Sequence, residues 1–406
     1  MPLRVSMRGL HVGRCHIPVR HLVVLWFAVV LLSGWFFLAT DHQPQSCRHH
    51  EMLEYVCRFY SQGTITGKMC PRLCEERDFV YTKCLSRSPE NQVYEVEVKD
   101  PKSLAHDRFL VHWAHDPKDG DYDRPKEGSS MEDLRHMLSA FLQLRLGETE
   151  HADLQSRLLD VADINNDGKV SLAEAKTMWA LLRGNKFLLL MALSKSEMIP
   201  KLEGFCGDVF VTEGVQEYSL SRQGMGPAFP LGLSSLLSRE RLQWTQRAHI
   251  VLGVIEFVEE IIDNPLGNFL MCSVTAQSIG YTKAHDAKLL RLEDLYPEVI
   301  VEGHLQDREC QVDEDCLYGL NCQTPCGTVN RKCFGEVTYP NLYKMCNLLE
   351  PVLFRGVPSA IEEQLRKTFK RCRDLRHSGR KMDMEHSLVI NDIKGIIWRQ
   401  ISNAKS

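Results

Sequence analysis

The stretch Asp163–Glu174, DINNDGKVSLAE, constrains this chain more than any other. It satisfies the calcium-loop pattern D-x-[DN]-x-[DN]-G-x5-E at every specified position. In such a loop Asp163, Asn165 and Asp167 supply side-chain oxygens at alternate positions, and Gly168 permits the sharp turn. Lys169 contributes its backbone carbonyl, Ser171 acts through a water, and Glu174 closes the loop with both carboxylate oxygens. HADLQSRLLDVAD reads as the entering helix and Leu172–Leu182 as the exiting one, so the expectation is a Ca2+-binding EF-hand over 151–185. The competing reading is a metal-free, Asx-rich turn. A second loop fails: DGDYDRPKE spaces Asp119, Asp121 and Asp123 correctly but places Arg124 where glycine is needed and Ser130 where the closing Glu belongs.

The rest of the chain is large enough for two or three structural units. A formal net charge of -4 over 406 residues gives no reason to expect a nucleic-acid partner. Leu22–Thr40 is an almost unbroken apolar run of bilayer-spanning length. Arg4, Arg8, Arg14 and Arg20 precede it without any acid, which predicts a cytosolic N-terminus and a single-pass type II anchor. A cleaved signal peptide is the alternative, disfavoured by the length of the run and by Phe37 where a small residue is wanted. Everything after Asp41 is then expected in a secretory compartment.

The fifteen cysteines agree with that compartment. Cys15 falls on the cytosolic side. Cys47, Cys57, Cys70, Cys74 and Cys84 form one group, Cys310, Cys316, Cys322, Cys326, Cys333 and Cys346 a second, and Cys206, Cys272 and Cys372 are scattered. Zinc competes through Cys70-x3-Cys74 and Cys322-x3-Cys326, but no C-x2-C pair occurs and an oxidising lumen favours disulfides. Their pairing is open. No N-glycosylation sequon occurs.

Along the chain, QVYEVEVK (92–99) and RFLVHW (108–113) read as strands. Ser129 and Glu132 suggest a capping box for the helix MEDLRHMLSAFLQLRLG. The exit helix of the calcium loop is expected to continue through LLRGNKFLLLMAL until Pro200 forbids it. GDVFVTEG (207–214) reads as a strand, residues 221–239 as a linker or lid, and Arg241–Ile262 as a strong helix. A turn at DNPLGN, a short run FLMC, a strand KLLRL and terminal helices follow. In the last, Leu388, Ile393, Ile396, Ile397 and Ile401 share a face.

Several of these stretches together resemble the divergent protein kinase domain 1 family: VSLAEAKTMWALL with its calcium loop, PKLEGFCGDVFVTEGV, VLGVIEFVEE, GNFLMC, CLYGLNCQTPC and MEHSLVINDIKGIIW. The resemblance spans nearly everything after the apolar run. It implies an endoplasmic-reticulum membrane protein with a lumenal, two-lobed α+β kinase-like fold and an EF-hand inserted in the small lobe. The expected layout is a cytosolic tail (1–21), an anchor (22–40), a cysteine-rich segment (41–90), the small lobe (91–220) and a helical large lobe (221–406) carrying the cysteine cluster 310–346.

Phosphoryl transfer needs a strand Lys, a helix Glu, a catalytic Asp, and an Asn and Asp for magnesium. At the positions the resemblance assigns to these groups stand His112, Lys186, Ser273, Ser278 and Arg291. Each has lost or reversed its charge. Relocated substitutes are conceivable in Lys99, Asp294, and the pair Asp263 and Asn268, although DNPLGN is explained by a turn. The sequence therefore predicts a calcium-binding, disulfide-rich pseudokinase that does not hold Mg-ATP and acts on a lumenal protein partner. The alternative is an active secretory-pathway kinase using the relocated residues.

Overall fold

Alternating β-branched and aromatic residues in VYEVEV and FLVHW pair as neighbouring strands, and they nucleate the sheet of this computed structural model. The structure describes Trp26 and residues 49–85, 92–98, 108–113, 122–128, 130–148, 151–215, 242–262, 264–376 and 380–405, without the side chains of 380–383 and 404–405. Residues 49–406 form one compact unit. No helix among the described residues is long and apolar enough to cross a membrane. The run 22–40 lies outside them apart from Trp26.

An N-terminal helix α1 (His49–Ser61) leads through a π-helical turn (Pro71–Glu76) into an antiparallel five-stranded sheet. Its strands are β1 (Phe79–Cys84), β2 (Gln92–Val98), β3 (Arg108–Trp113), β4 (Leu202–Cys206) and β5 (Val209–Glu213), in the order β1-β2-β3-β5-β4. Strand β3 is central and sets Val111 opposite Val211 and His112 opposite Phe210. Strand β4 escapes sequence reading because LEGFC does not alternate and a bulge falls at Gly204.

Four helices separate β3 from β4: α2 (Met131–Leu146), α3 (Ala152–Ala162), α4 (Leu172–Arg183) and α5 (Asn185–Ala192). Helix α2 buries Leu134, Leu138, Leu142 and Leu146 at successive i+4 positions. Its capping box is formed by Ser130 and Asp133, one residue later than the sequence suggested; Ser129 lies outside the described residues. The exit helix of the loop does not run on. Gly184 adopts an extended conformation (φ -83°, ψ 122°), so α5 starts anew and buries every residue from Lys186 to Ala192.

The second half is a bundle of α6 (Trp244–Glu260), α8 (Asn341–Leu353), α9 (Ser359–Asp374) and α10 (Arg380–Lys405), with α7 (Glu298–Leu305) beside it. Helix α6 is buried around most of its circumference, through Ile250, Val251, Val254, Ile255 and Val258. In α10 the buried face is Val389, Ile390, Ile393, Ile396, Ile397 and Ile401, while Leu388 is 52% exposed and lies off it. Between α6 and α7 come two short antiparallel pairs, β6 (Phe269–Met271) with β9 (Leu295–Pro297) and β7 (Ile279–Tyr281) with β8 (Ala287–Leu289). The expected strand KLLRL is thus only Ala287–Leu289, and a 3-10 turn at Leu292–Asp294 takes over.

Disulfides resolve the cysteine question. Cys57 pairs with Cys74, Cys70 with Cys206, Cys272 with Cys322, Cys310 with Cys326, Cys316 with Cys333 and Cys346 with Cys372. Cys84 is also disulfide-bonded, and Cys47 lies outside the described residues. The C-x3-C pairs are not partners of each other, and the sulfurs of Cys310, Cys316 and Cys326, gathered within 4.8 Å, are consumed by bonds rather than free for zinc.

The Cys70–Cys206 link requires close approach: a Cβ on Gly67 would lie 2.0 Å from the Phe205 carbonyl oxygen. Gly67→Ala should therefore destabilise the fold by about 1–3 kcal/mol. Gly303→Ala, in open space on α7, should gain about 0.5–1 kcal/mol. Denaturant titration of both variants checks the opposite signs.

Candidate functional site

The cleft-facing groups come from β3, α5, the β6–β7 connection and the 3-10 turn after β8. On β3, His112 is 3% exposed, its ring stacked on Phe210 at 4.6 Å and its Nε2 sharing a 3.0 Å hydrogen bond with Thr212 Oγ1. Burial, reinforced by the nearby positive Lys186, pushes its pKa well below the ordinary histidine value. It is a neutral ring at neutral pH, and its Nδ1 has no partner among the described residues.

Lys186, the second residue of α5, is 6% exposed and lies 3.5 Å from Glu293 Oε2. Desolvation lowers its pKa, against the opposing pull of Glu293. On the facing turn, Arg291 Nε is 3.2 Å from Asp294 Oδ2 and 3.7 Å from Glu293 Oε1. Asp294 is 2% exposed and accepts a 2.5 Å hydrogen bond from the Ser278 hydroxyl. Burial raises its carboxyl pKa; Ser278 and Arg291 work the other way without cancelling that. The structure thus gathers Lys186, Ser278, Arg291 and Asp294 into one network, with His112 beside it. Glu293 completes it and was missed in the sequence, although its place beside Asp294 was a signal.

Ser273 lies two residues beyond the end of β6 and is half-buried. The cysteine-rich insert closes over it: Leu320 and Asn321 donate their N–H groups to the Cys272 carbonyl at 2.7 and 3.0 Å. Gly319 approaches so near that a Cβ there would sit 2.7 Å from Ser273 Oγ. The Cys272–Cys322 disulfide locks this contact. Asn268 is not part of the network, because its amide donates to Glu298 Oε2 at 2.8 Å. Lys99 and Asp263 lie outside the described residues. A further buried pair, Lys288 Nζ to Glu213 Oε1 at 2.7 Å, ties β8 to the end of β5.

The loop Asp163–Glu174 sits between α3 and α4 with Gly168 at φ 78°. Asp163 accepts from the N–H groups of Asp167 (3.1 Å) and Gly168 (2.8 Å), and Asn165 Oδ1 from Asp167 N at 3.0 Å. Glu174, 4% exposed, reaches back to the amides of Ile164 and Ser171 at 2.9 and 2.8 Å. Lys169 and Ser171 keep their expected loop places, and Ser171 also caps α4. The donors are hard oxygens on a curled backbone, the set that Ca2+ prefers.

An antiparallel sheet, an inserted helix carrying a buried charge, and the β6–β9 and β7–β8 pairs after a long buried helix define a protein-kinase-like domain. The family model described as the protein-kinase domain of FAM69 matches residues 178–375. The model described as the N-terminal cysteine-rich endoplasmic-reticulum region of FAM69 matches residues 15–160. The chain belongs to this family, the divergent protein kinase domain 1 family that its motifs resemble.

The buried network has a pH signature. Because the folded carboxyl of Asp294 is raised above its ordinary value of 3.8, its favourable contribution is complete below that value and is lost as pH rises through the folded pKa. Asp294→Asn should therefore gain on the wild type most at neutral pH and lose that advantage towards pH 4. Arg291→Ala removes the neighbouring cation and should cost about 1 kcal/mol, modest because Arg291 is half exposed. Urea denaturation across this pH range checks both.

Proposed function

We propose that this chain is a calcium-loaded, disulfide-stapled pseudokinase of the endoplasmic reticulum that acts by binding another protein. Residues 22–40 anchor it as a type II membrane protein, and residues 41–406 lie in the lumen. One observation carries the pseudokinase reading: among the described residues, the charged groups gathered at this site are already paired with one another. Lys186 meets Glu293, Arg291 meets Asp294, and Asp294 meets Ser278. Kinase catalysis is almost wholly positioning and electrostatic stabilisation of phosphate by cations and magnesium. Here the metal acid is replaced by Arg291, the phosphate-holding lysine by neutral His112, and the proton acceptor by Ser273 under the insert. The active-kinase alternative needs Asp294 as a metal ligand, yet that carboxylate is enclosed and committed to its neighbours.

Calcium would be held by Asp163, Asn165, Asp167, the Lys169 carbonyl, a water on Ser171, and Glu174. It supplies charge that holds these oxygens together and so fixes α3 against α4, whose Leu154, Leu158, Ala175 and Met178 share a core with α5. The lumenal reading is supported by the disulfides and by the four arginines, unaccompanied by any acid, that precede the apolar run, against mixed charges after it.

Two measurements on the full-length protein test this. Wild type should melt at a higher temperature in calcium than in chelator, whereas Glu174→Gln should lose most of that difference; an equal melting point with and without calcium removes the calcium reading. Calorimetric titration of Mg-ATP in saturating calcium should give no binding isotherm. Saturable heat would overturn the pseudokinase assignment.

A further inference from the structure

Outside the cleft, a cavity of about 380 Å³ opens between the cysteine-rich insert and the start of α8. Its wall combines apolar and aromatic side chains with Glu314, Asn321 and Gln323. Leu317 and Leu320 are exposed at 38% and 66%, and the rings of Tyr339 and Tyr343 stack at 4.5 Å. Lys344 also lines it, and this lysine is 6% exposed.

An ammonium carries three N–H donors. The Lys344 Nζ lies 3.0 Å from Cys322 Sγ, a weak acceptor already in a disulfide, and 3.5 Å from the Met271 carbonyl, at the limit of hydrogen bonding. No carboxylate among the described residues comes within ion-pair distance of it. Burial without counter-charge pulls its pKa down to about 7. A buried lysine held this way, at the edge of a cavity with room for a small molecule, lacks the partner that other buried cations of this protein possess, such as Lys288 on Glu213 and Lys186 on Glu293.

We propose that this cavity binds a monocarboxylate with an apolar body, its carboxylate on Lys344 and its body against Leu317, Leu320, Tyr339 and Tyr343. The charge balance excludes polyanions such as nucleotides. Lys344 is the cation of the lining, Arg376 rests on the Tyr339 and Tyr343 rings without lining the cavity, and Glu314 in the lining repels further negative charge. The same carboxylate chemistry is offered by a free organic acid or by the C-terminus of a partner chain.

Calorimetric titration of 3-phenylpropanoate into the full-length protein tests the site, alongside 3-phenylpropan-1-ol and the Lys344→Met variant. The acid should bind one site saturably, with the alcohol and the variant each weaker by about tenfold or more. Equal binding of acid and alcohol, undiminished binding by Lys344→Met, or no saturation by the acid overturns the proposal. Should Lys344→Met lack a cooperative melting transition, Leu320→Asp at the exposed rim replaces it; a drop of about tenfold supports the site, and unchanged affinity overturns it. A tetrapeptide ending in a free leucine carboxylate, compared with its amide, separates the two sources. If the peptide acid binds more tightly than phenylpropanoate, the occupant is a chain terminus; if less tightly, a free acid.

Discussion

A carboxylate as enclosed as that of Asp294 is tolerated only with donors aimed at it, and the cleft is arranged around supplying them. The Ser278 hydroxyl and the Arg291 guanidinium both converge on Oδ2. The acid next to it, Glu293, turns to Lys186, the residue that brings positive charge onto α5. Helix α5, the β6–β7 connection and the 3-10 turn are thereby joined by side chains of the chain itself. In a catalytic kinase, substrate phosphates and magnesium would share that duty. Lys186, Glu293, Arg291, Asp294 and Ser278 thus form one internal network of ion pairs and a hydrogen bond.

Much of this was legible in the sequence. Strands β2 and β3 follow from alternation, α6 from its apolar density, and the turn between α3 and α4 from the spacing of Asp163, Asn165, Asp167 and Gly168. The expectation that His112, Lys186, Ser273, Ser278 and Arg291 stand at catalytic places could be drawn from motif order. Their partners could not. Pairing of Lys186 with Glu293 joins residues more than a hundred positions apart, and no local periodicity encodes it. Strand β4 was hidden by Gly204, and the break between α4 and α5 by the apolar run that resumes at Phe187 just after Gly184. Helix α10 shows the limit of face-counting: Leu388 fits the pattern but faces solvent, because Val389 and Ile390 are the residues turned to the bundle.

The cysteines divide in the same way. Their number and distribution signalled an oxidising compartment, but pairing depends on which backbones meet. Cys70 and Cys74 stand four residues apart, yet their partners are Cys206 and Cys57. The insert, whose small core is made largely of disulfide sulfur, relies on these links more than on apolar burial to hold its shape over Ser273.

The Cys70–Cys206 bond encloses a sequence separation of 136 residues, including the whole calcium loop and its helices. A ribosome takes on the order of ten seconds to make a segment of that length. During that interval Cys70 is a free thiol beside Cys57 and Cys74, whose own bond spans only 17 residues and can close first. Early closure of that short ring removes the two cysteines nearest to Cys70, Cys84 is committed to a disulfide of its own, and Cys70 is kept for the end of β4. The order in which cysteines emerge thus helps to choose the correct partner, and oxidation of the N-terminal region becomes a checkpoint that completes only when the sheet has received β4.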